Sequence, residues 1–504
     1  MTANNTLQFD APTAFSHSGS LDLSQVGVTV ALMYINKGPA MTNPRLDPVL
    51  ARIDATLPAS IDRLLDLLRI PSISSDPAFK ADCDRAADWL VHDLASIGFD
   101  ASKRVTQGHP MVVGHGAGPG TGAGPHLMFY GHYDVQPVDP LTLWDIPPFE
   151  PVLQDTPKGQ VIRGRGTSDD KGQLMTFVEA CRAWQGVHGS LPARISIFFV
   201  GEEESGSPSL IPFMKANAPE LTADIALICD TGLFDADTPA ITTMLRGLLG
   251  EEITIQGPAM DLHSGMYGGA AINPARVLAR IIAALHDDSG RVTVPGFYDG
   301  VPELTNALRA QWDDLGFDGA AFLAEVGLSV PAGEAGRSVL EMIWSRPTCE
   351  VNGISAGYTG DGFKTVLPAK ASAKISFRLV GQQDPHKIRD SFRAMVTAML
   401  PADCTVTFHA HGTGKASTMA TTNPAFEAAR RALSAEWPRP AAYVGSGGSI
   451  PIAGYFKDIL GMDAMLIGFA LDDDLIHSPN EKYDLRSFHK GIRSWARILD
   501  ELSV

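Results

Sequence analysis

The chain has 504 residues, 44% of them apolar, which is more than one hydrophobic core ordinarily supports, so two or three domains are expected. Its 57 acidic against 40 basic residues leave a net charge of −17, which argues against nucleic acid as a partner because phosphate binding needs a basic surface. The five cysteines, Cys83, Cys181, Cys229, Cys349 and Cys404, are odd in number, scattered and without a Cys-x-x-Cys pair, the pattern of reduced thiols in a cytoplasmic protein.

Residues 1–46 read as a flexible N-terminal extension. No Lys or Arg precedes Lys37, so the basic start of a secretory signal is missing, and the mostly apolar stretch 26–35 is too short to span a bilayer. No membrane partner is expected. Met41, just before Asn43 and Pro44, is a candidate start of translation.

From about Asp47, segments 48–68 and 83–97 read as amphipathic helices. The apolar runs 127–130, 195–200 and 225–228 are those of central strands covered on both faces, with helix 171–184 separating the first two. The Gly/Pro-rich run 116–125 has no phosphate-binding signature and reads as a hairpin loop. A different texture begins near Gly247: strand 251–255, helix 274–285, strand 371–379, helix 385–400 and strand 404–409, a smaller α+β sandwich with helices on one face. Apolar segments then resume with helix 424–435, a strand near 465–468 and helix 484–502. The predicted class is α/β: a layered domain with a central, mainly parallel sheet, residues 47–246 and 413–504, interrupted by an insert at 247–412.

Catalytic groups in open α/β sheets gather at the carboxyl ends of strands. The first apolar run is followed by Gly131-His132-Tyr133-Asp134-Val135-Gln136-Pro137, and the next clusters are Ser168-Asp169-Asp170-Lys171-Gly172 and Gly201-Glu202-Glu203-Glu204-Ser205-Gly206. Run 225–229 ends in Asp230, and strand 465–468 leads to Asp472-Asp473-Asp474-Leu475-Ile476-His477-Ser478-Pro479-Asn480-Glu481. Two histidines with three or more carboxylates suit Zn²⁺, with Mn²⁺ or Co²⁺ as substitutes, and such clusters do hydrolytic chemistry. Isolated acids are more often solvated than ligating, so Glu202 and Asp170 read as structural and 472–474 as a loop from which only His477 is a candidate.

The order and spacing of these segments resemble the dinuclear zinc hydrolases that include carboxypeptidase G, aminoacylase, acetylornithine deacetylase, succinyl-diaminopimelate desuccinylase and the carnosinase-type dipeptidases, over roughly residues 47–504. The resemblance implies a zinc-exopeptidase catalytic domain with a ferredoxin-like lid and dimerisation domain. It implies two zinc ions per subunit, one on His132, Asp169 and Asp230, the other on Asp169, Glu204 and His477, with Asp169 bridging ions about 3.5 Å apart. Water activated by the two ions would attack an amide, with Glu203 as general base and then acid, while Asp134 orients the His132 ring. Asp261-Leu262-His263-Ser264-Gly265 looks like the segment whose histidine stabilises the oxyanion, often in the partner's site, so a homodimer through the insert is expected. The competing reading of His263 is a plain loop residue.

Two features suit a substrate carboxylate. Arg378 lies amid apolar residues in a strand, where a guanidinium fork calls for an anion, whether substrate or a structural ion pair. Gly445-Ser446-Gly447-Gly448-Ser449-Ile450-Pro451 lets backbone N–H groups approach an anion at a helix start, or is an ordinary turn. By resemblance, Arg378, Gly448 and Ser449 hold the substrate's C-terminal carboxylate, with Asn352 nearby. His-Tyr-Asp-Val-Gln-Pro, Asp-Leu-His-Ser-Gly and Gly-Gly-Ser-Ile-Pro look most like the dipeptidase branch. Hydrolysis of a dipeptide with a free carboxylate leads. A deacylase of N-acyl amino acids is the alternative, followed by a two-metal phosphohydrolase and a non-catalytic binding protein.

Overall fold

The computed structural model describes residues 43–119, 124–448 and 450–503. Residues 1–42, with the 26–35 stretch and Met41, lie outside the described residues, as does Ser449. No helix among those described is long and apolar enough to cross a membrane. All five cysteines are buried free thiols.

Four mutually parallel strands form the centre of a nine-stranded sheet, in the order Arg194–Val200, His126–His132, Ile225–Ile228 and Asp463–Leu466. Their uninterrupted apolar character follows from burial on both faces. Leu127 and Phe129 point into one core, beneath the helices Asp47–Leu68, Lys171–His188 and Leu485–Leu502, while Met128 and Tyr130 point into another, beneath Leu210–Ala216 and Pro451–Leu460. Antiparallel strands extend both edges, Met111–Gly116 and Asp100–Arg104 on one side, Ala240–Leu245 and Ser417–Thr418 on the other. The chain is therefore α/β as predicted. The 116–125 connection is not a hairpin, because Arg194–Val200 lies between the strands it joins. Sequence adjacency misled there, since the sheet placed a later strand in the gap.

The insert forms its own antiparallel sheet, ordered Thr348–Ala356, Lys370–Leu379, Gly247–Gln256 and Thr405–Gly414. Helices Pro274–Ala283 and Pro385–Ala398 cover one face through Val277, Ile281, Ile388 and Phe392, giving the ferredoxin-like arrangement. Periodicity does not predict the strand Thr348–Ala356. It is an edge strand, broken by a bulge at Asn352 and carrying exposed Ile354, so it lacks a clean alternation.

The chain between the first insert helix and that strand also returns to the large sheet. Trp312 and Leu315, with Leu340 of helix Val339–Trp344, pack on Ala240, Ala442 and Val444, and Trp312 Nε1 donates to the Tyr443 carbonyl at 2.9 Å. The central sheet rests on aromatic packing. Phe129 stacks on Phe177 with centroids 3.8 Å apart and meets Phe199 and Trp495 edge-on. Phe129→Ala is expected to destabilise the protein by about 3–5 kcal/mol, read as an earlier denaturant midpoint; a shift below 1 kcal/mol would show that the ring is not a core element.

Candidate metal centre

Three of the central parallel strands deliver the site. His132 is the last residue of its strand, Asp230 lies two residues beyond Ile228, and Glu203 and Glu204 follow Val200. Asp169 lies two residues before the helix Lys171–His188, and His477 comes from the loop after Asp463–Leu466.

The side chains converge in two overlapping triads. Donor atoms of His132, Asp169 and Asp230 lie within 4.8 Å of one another, as do those of Asp169, Glu204 and His477. Asp169 belongs to both, its Oδ1 3.0 Å from His132 Nε2 and its Oδ2 2.9 Å from His477 Nε2. His477 Nε2 is also 3.4 Å from a Glu204 oxygen.

Excess negative charge dominates the centre. Burial lifts Asp230 well above the usual carboxylate range, and Asp169, Glu203 and Glu204 add to this against His132. Burial likewise lifts Glu203 to about 7, with His132 opposing and Glu204, Asp134 and Asp169 reinforcing. Asp169 moves the other way, because hydrogen bonds to His132 and His477 outweigh its burial. The bond to Asp169, with one to Glu204, raises His477 to about 10. Buried Glu204 Oε1 has no hydrogen-bond partner. Four carboxylates crowded in low dielectric, one with an orphaned oxygen, are what divalent cations neutralise, so the nitrogen and oxygen donors present fit a metal pair.

Several groups hold the ligating geometry. His132 Nδ1 is 3.1 Å from the Asp134 carbonyl and 3.5 Å from its carboxylate. The Asp134 oxygens also accept the backbone N–H groups of Glu203 at 3.1 Å and Glu204 at 3.0 Å. Asp170 accepts the His132 N–H at 3.0 Å. Buried Glu202 binds the N–H groups of His109 and Ser209, a structural role.

Glu481 was not among the candidates from sequence. It is fully buried and accepts from Arg165 Nη1 (2.8 Å) and the N–H groups of Gly166 (2.9 Å), Ser168 (2.9 Å) and Asp169 (3.1 Å). Asp474, in a run read as a loop, is also buried and accepts the Ser168 hydroxyl at 2.7 Å. The only signal for either was nearness to His477. His477 adopts φ 63°, with Leu475 at 57° and Asn480 at 66°, so this loop is held in the left-handed region by its surroundings.

The remaining candidates stand apart from the cluster. His263 is exposed on the insert, its Nδ1 accepting the Gly265 N–H at 3.0 Å. Asn352 is exposed in the bulge, and Arg378 is half-buried in the neighbouring strand. Gly448 is exposed, its N–H donating to Ser446 Oγ at 3.2 Å.

An α/β sheet carrying this donor set at its carboxyl ends defines a metal-dependent hydrolase. The chain belongs to peptidase family M20/M25/M40, which it matches over residues 128–501. It is 30% identical to a Cys-Gly metallodipeptidase of Candida albicans, over 89% of this chain and 96% of that one. Among solved structures it resembles a di-peptidase of Saccharomyces cerevisiae (TM-score 0.73, 28% identity, 91% and 98% coverage). It also resembles an M20 family metallo-carboxypeptidase of Sulfolobus solfataricus (TM-score 0.74, 30% identity, 88% and 99% coverage).

Groups that orient ligands commonly contribute 10- to 100-fold to metal affinity. Glu481→Ala is expected to weaken divalent-metal binding by about that factor, read as metal content after dialysis against graded chelator. Unchanged retention in a folded variant would remove Glu481 from this role.

Proposed function

We propose that the chain is a two-zinc dipeptidase, with Mn²⁺ or Co²⁺ as substitutes, that hydrolyses small peptides bearing a free carboxylate in the cytoplasm. The observation that carries the reading is the pair of triads sharing Asp169, with Glu203 beside them. One ion is assigned to His132, Asp169 and Asp230, the other to Asp169, Glu204 and His477. When bound, such a pair polarises the scissile carbonyl and lowers the pKa of water. The metallodipeptidase relatives support a dipeptide over an N-acyl amino acid.

Each step at the residues follows from position. Asp134 holds the Glu203 and Glu204 backbone and contacts the His132 ring, so a base and two ligands share one support. Glu203 is assigned to take the proton of the attacking water and return it to the leaving nitrogen. Its burial suits the task, because a base with a pKa near the working pH both accepts and releases protons readily. His263 is assigned to the oxyanion, and Arg378, Gly448, Ser449 and Asn352 to the substrate.

Among the described residues, no hydrogen bond or ion pair joins His263 to the cluster, which favours its acting in a partner copy. Met260 at 67% and Met266 at 76%, near it in the chain, and Phe363 at 92%, three residues before its strand partner Val366, are apolar and exposed, as suits a face of the insert that meets a second subunit. Residues 247–412 are thus assigned as lid and dimerisation domain, and 47–246 with 413–504 as catalytic domain.

Glu203→Gln should lower kcat about 100- to 10,000-fold on a dipeptide panel while metal content stays unchanged, the first read by released amine and the second by elemental analysis. Loss of metal instead would make Glu203 a ligand. Chelator should abolish cleavage in the wild type, with zinc restoring it.

A base works deprotonated, so kcat/KM should rise with pH through the Glu203 pKa. That value is about 7 with His132 as its counter-charge. Bound divalent cations stabilise the carboxylate and move the limb down. The pH profile should therefore place the acid limb at or below neutrality and lose it in Glu203→Gln; a limb well above neutrality would assign it to another group.

A further inference from the structure

Arg246 and Arg378 are two like charges without a counter-ion among the described residues. In strand Lys370–Leu379, Phe377 and Leu379 enter the insert core, while Ser376 and Arg378 lie on the face turned away from its helices. Arg378 is in register with Leu248. Arg246 stands two residues before Leu248, where the chain passes from Ala240–Leu245 of the large sheet to Gly247–Gln256 of the small one. Among the described residues no carboxylate lies within 4.0 Å of either guanidinium. Burial pulls Arg246 down to about 10, Arg378 adds to the fall, and Glu350 opposes it from beyond ion-pair distance.

Arg246 is held by carbonyls instead. Its Nε is 3.2 Å from the Gly447 oxygen, its Nη1 3.4 Å from the Met342 oxygen, and its backbone N–H donates to the Gly448 oxygen at 3.1 Å. These contacts bring the guanidinium against the Gly-rich turn so closely that a Cβ on Gly447 would lie 2.8 Å from Nη2. A side chain at 447 would require the guanidinium to shift. The two carbonyl bonds are long and use one N–H each, so the fork keeps free donors beside the turn.

We propose that Arg246 is a second cation of the substrate-carboxylate subsite, acting with Arg378 and the Gly447–Gly448 turn. The proposal rests on the dipeptidase reading and deepens it. A bound carboxylate relieves the repulsion between the two guanidiniums and accepts from both. An anionic substrate approaching a chain of charge −17 also needs a local positive field to overcome the general repulsion. A C-terminal amide supplies neither the charge nor a second acceptor, so two cations discriminate against it more sharply than one.

The test compares a free dipeptide with its C-terminal amide in the wild type, Arg246→Met and Arg246→Lys. Arg246→Met should raise KM for the free dipeptide about 10- to 100-fold, the effect of losing a charged hydrogen bond, with kcat and the amide's KM little changed. The wild type's preference for the carboxylate then collapses. Equal losses on both substrates would show a merely structural role and overturn the proposal. Should Arg246→Met fail to fold, Arg246→Lys decides: a loss confined to the carboxylate upholds the subsite, and equal changes overturn it. If the wild type cleaves neither substrate, the dipeptidase reading fails separately. Calorimetric binding of an N-acetyl amino acid against its amide still reads the subsite, and selectivity unchanged between wild type and Arg246→Met overturns it.

Discussion

The centre depends on one buried carboxylate that is not itself in either triad. Glu481 joins the loop that carries Asp169 to the loop that carries His477, by accepting three backbone N–H groups of the former from a position four residues after the latter. Both triads pass through Asp169, so an error in this join would move both at once. A carboxylate suits the task because it offers several acceptor sites and gains from charged and oriented donors. Arg165 supplies the charge, and it is nearly as buried as the acid it meets. An amide at this position would present two donors to a ring of donors.

The same logic repeats at Asp134 and Asp170. Each sits beside a proposed ligand and accepts backbone N–H groups, Asp134 from Glu203 and Glu204, Asp170 from His132. Acidic residues are therefore present in two kinds, those aimed at the cavity and those fixing the loops that aim them. The second kind accepts backbone N–H groups, yet burial still lifts Asp170 and Glu481 above the usual carboxylate range. Within the first kind, Asp169 and Asp230 are displaced in opposite directions, since only Asp169 has both imidazoles within hydrogen-bonding distance.

Much of this was legible in the chain. Unbroken apolar runs at 127–130, 195–200 and 225–228 marked buried parallel strands, and the acids and histidines directly after them marked the site, because a parallel sheet collects its strand ends on one edge. The misses share a cause. Strand Thr348–Ala356 carries a bulge and faces solvent, so its pattern reflects edge position more than core burial. The return of 304–346 to the large sheet involves contacts between distant segments, such as Trp312 with Tyr443, and no local period encodes such a partner. Glu481 and Asp474 looked like surface acids because burial of a charge depends on donors brought from elsewhere, here Arg165 and Ser168.

That return segment bears on how the two sheets share the work. The proposed ligands stand at the large sheet, whereas Arg378 and Asn352 stand on the small one and His263 on a two-stranded ladder with Val366, so on the proposed reading substrate is held across a chain junction. A junction of single strands would let the small sheet swing freely. Instead, Trp312, Leu315 and Leu340 anchor the insert's long connection on the outer strand of the large sheet. Arg346 pairs with Glu334 at 2.8 Å, and Arg337 with Glu303 at 2.7 Å, within the same connection. Trp344 of this segment packs against Gly445, where a Cβ would lie 2.6 Å from its own. The glycine turn is thus braced by the insert although it belongs to the large sheet's strand Ala442–Ser446. Arg246, at the crossing itself, touches the next part of that turn at Gly447. The turn is thus in contact with both the insert and the crossing, so on the proposed reading the carboxylate subsite depends on the relative position of the two sheets.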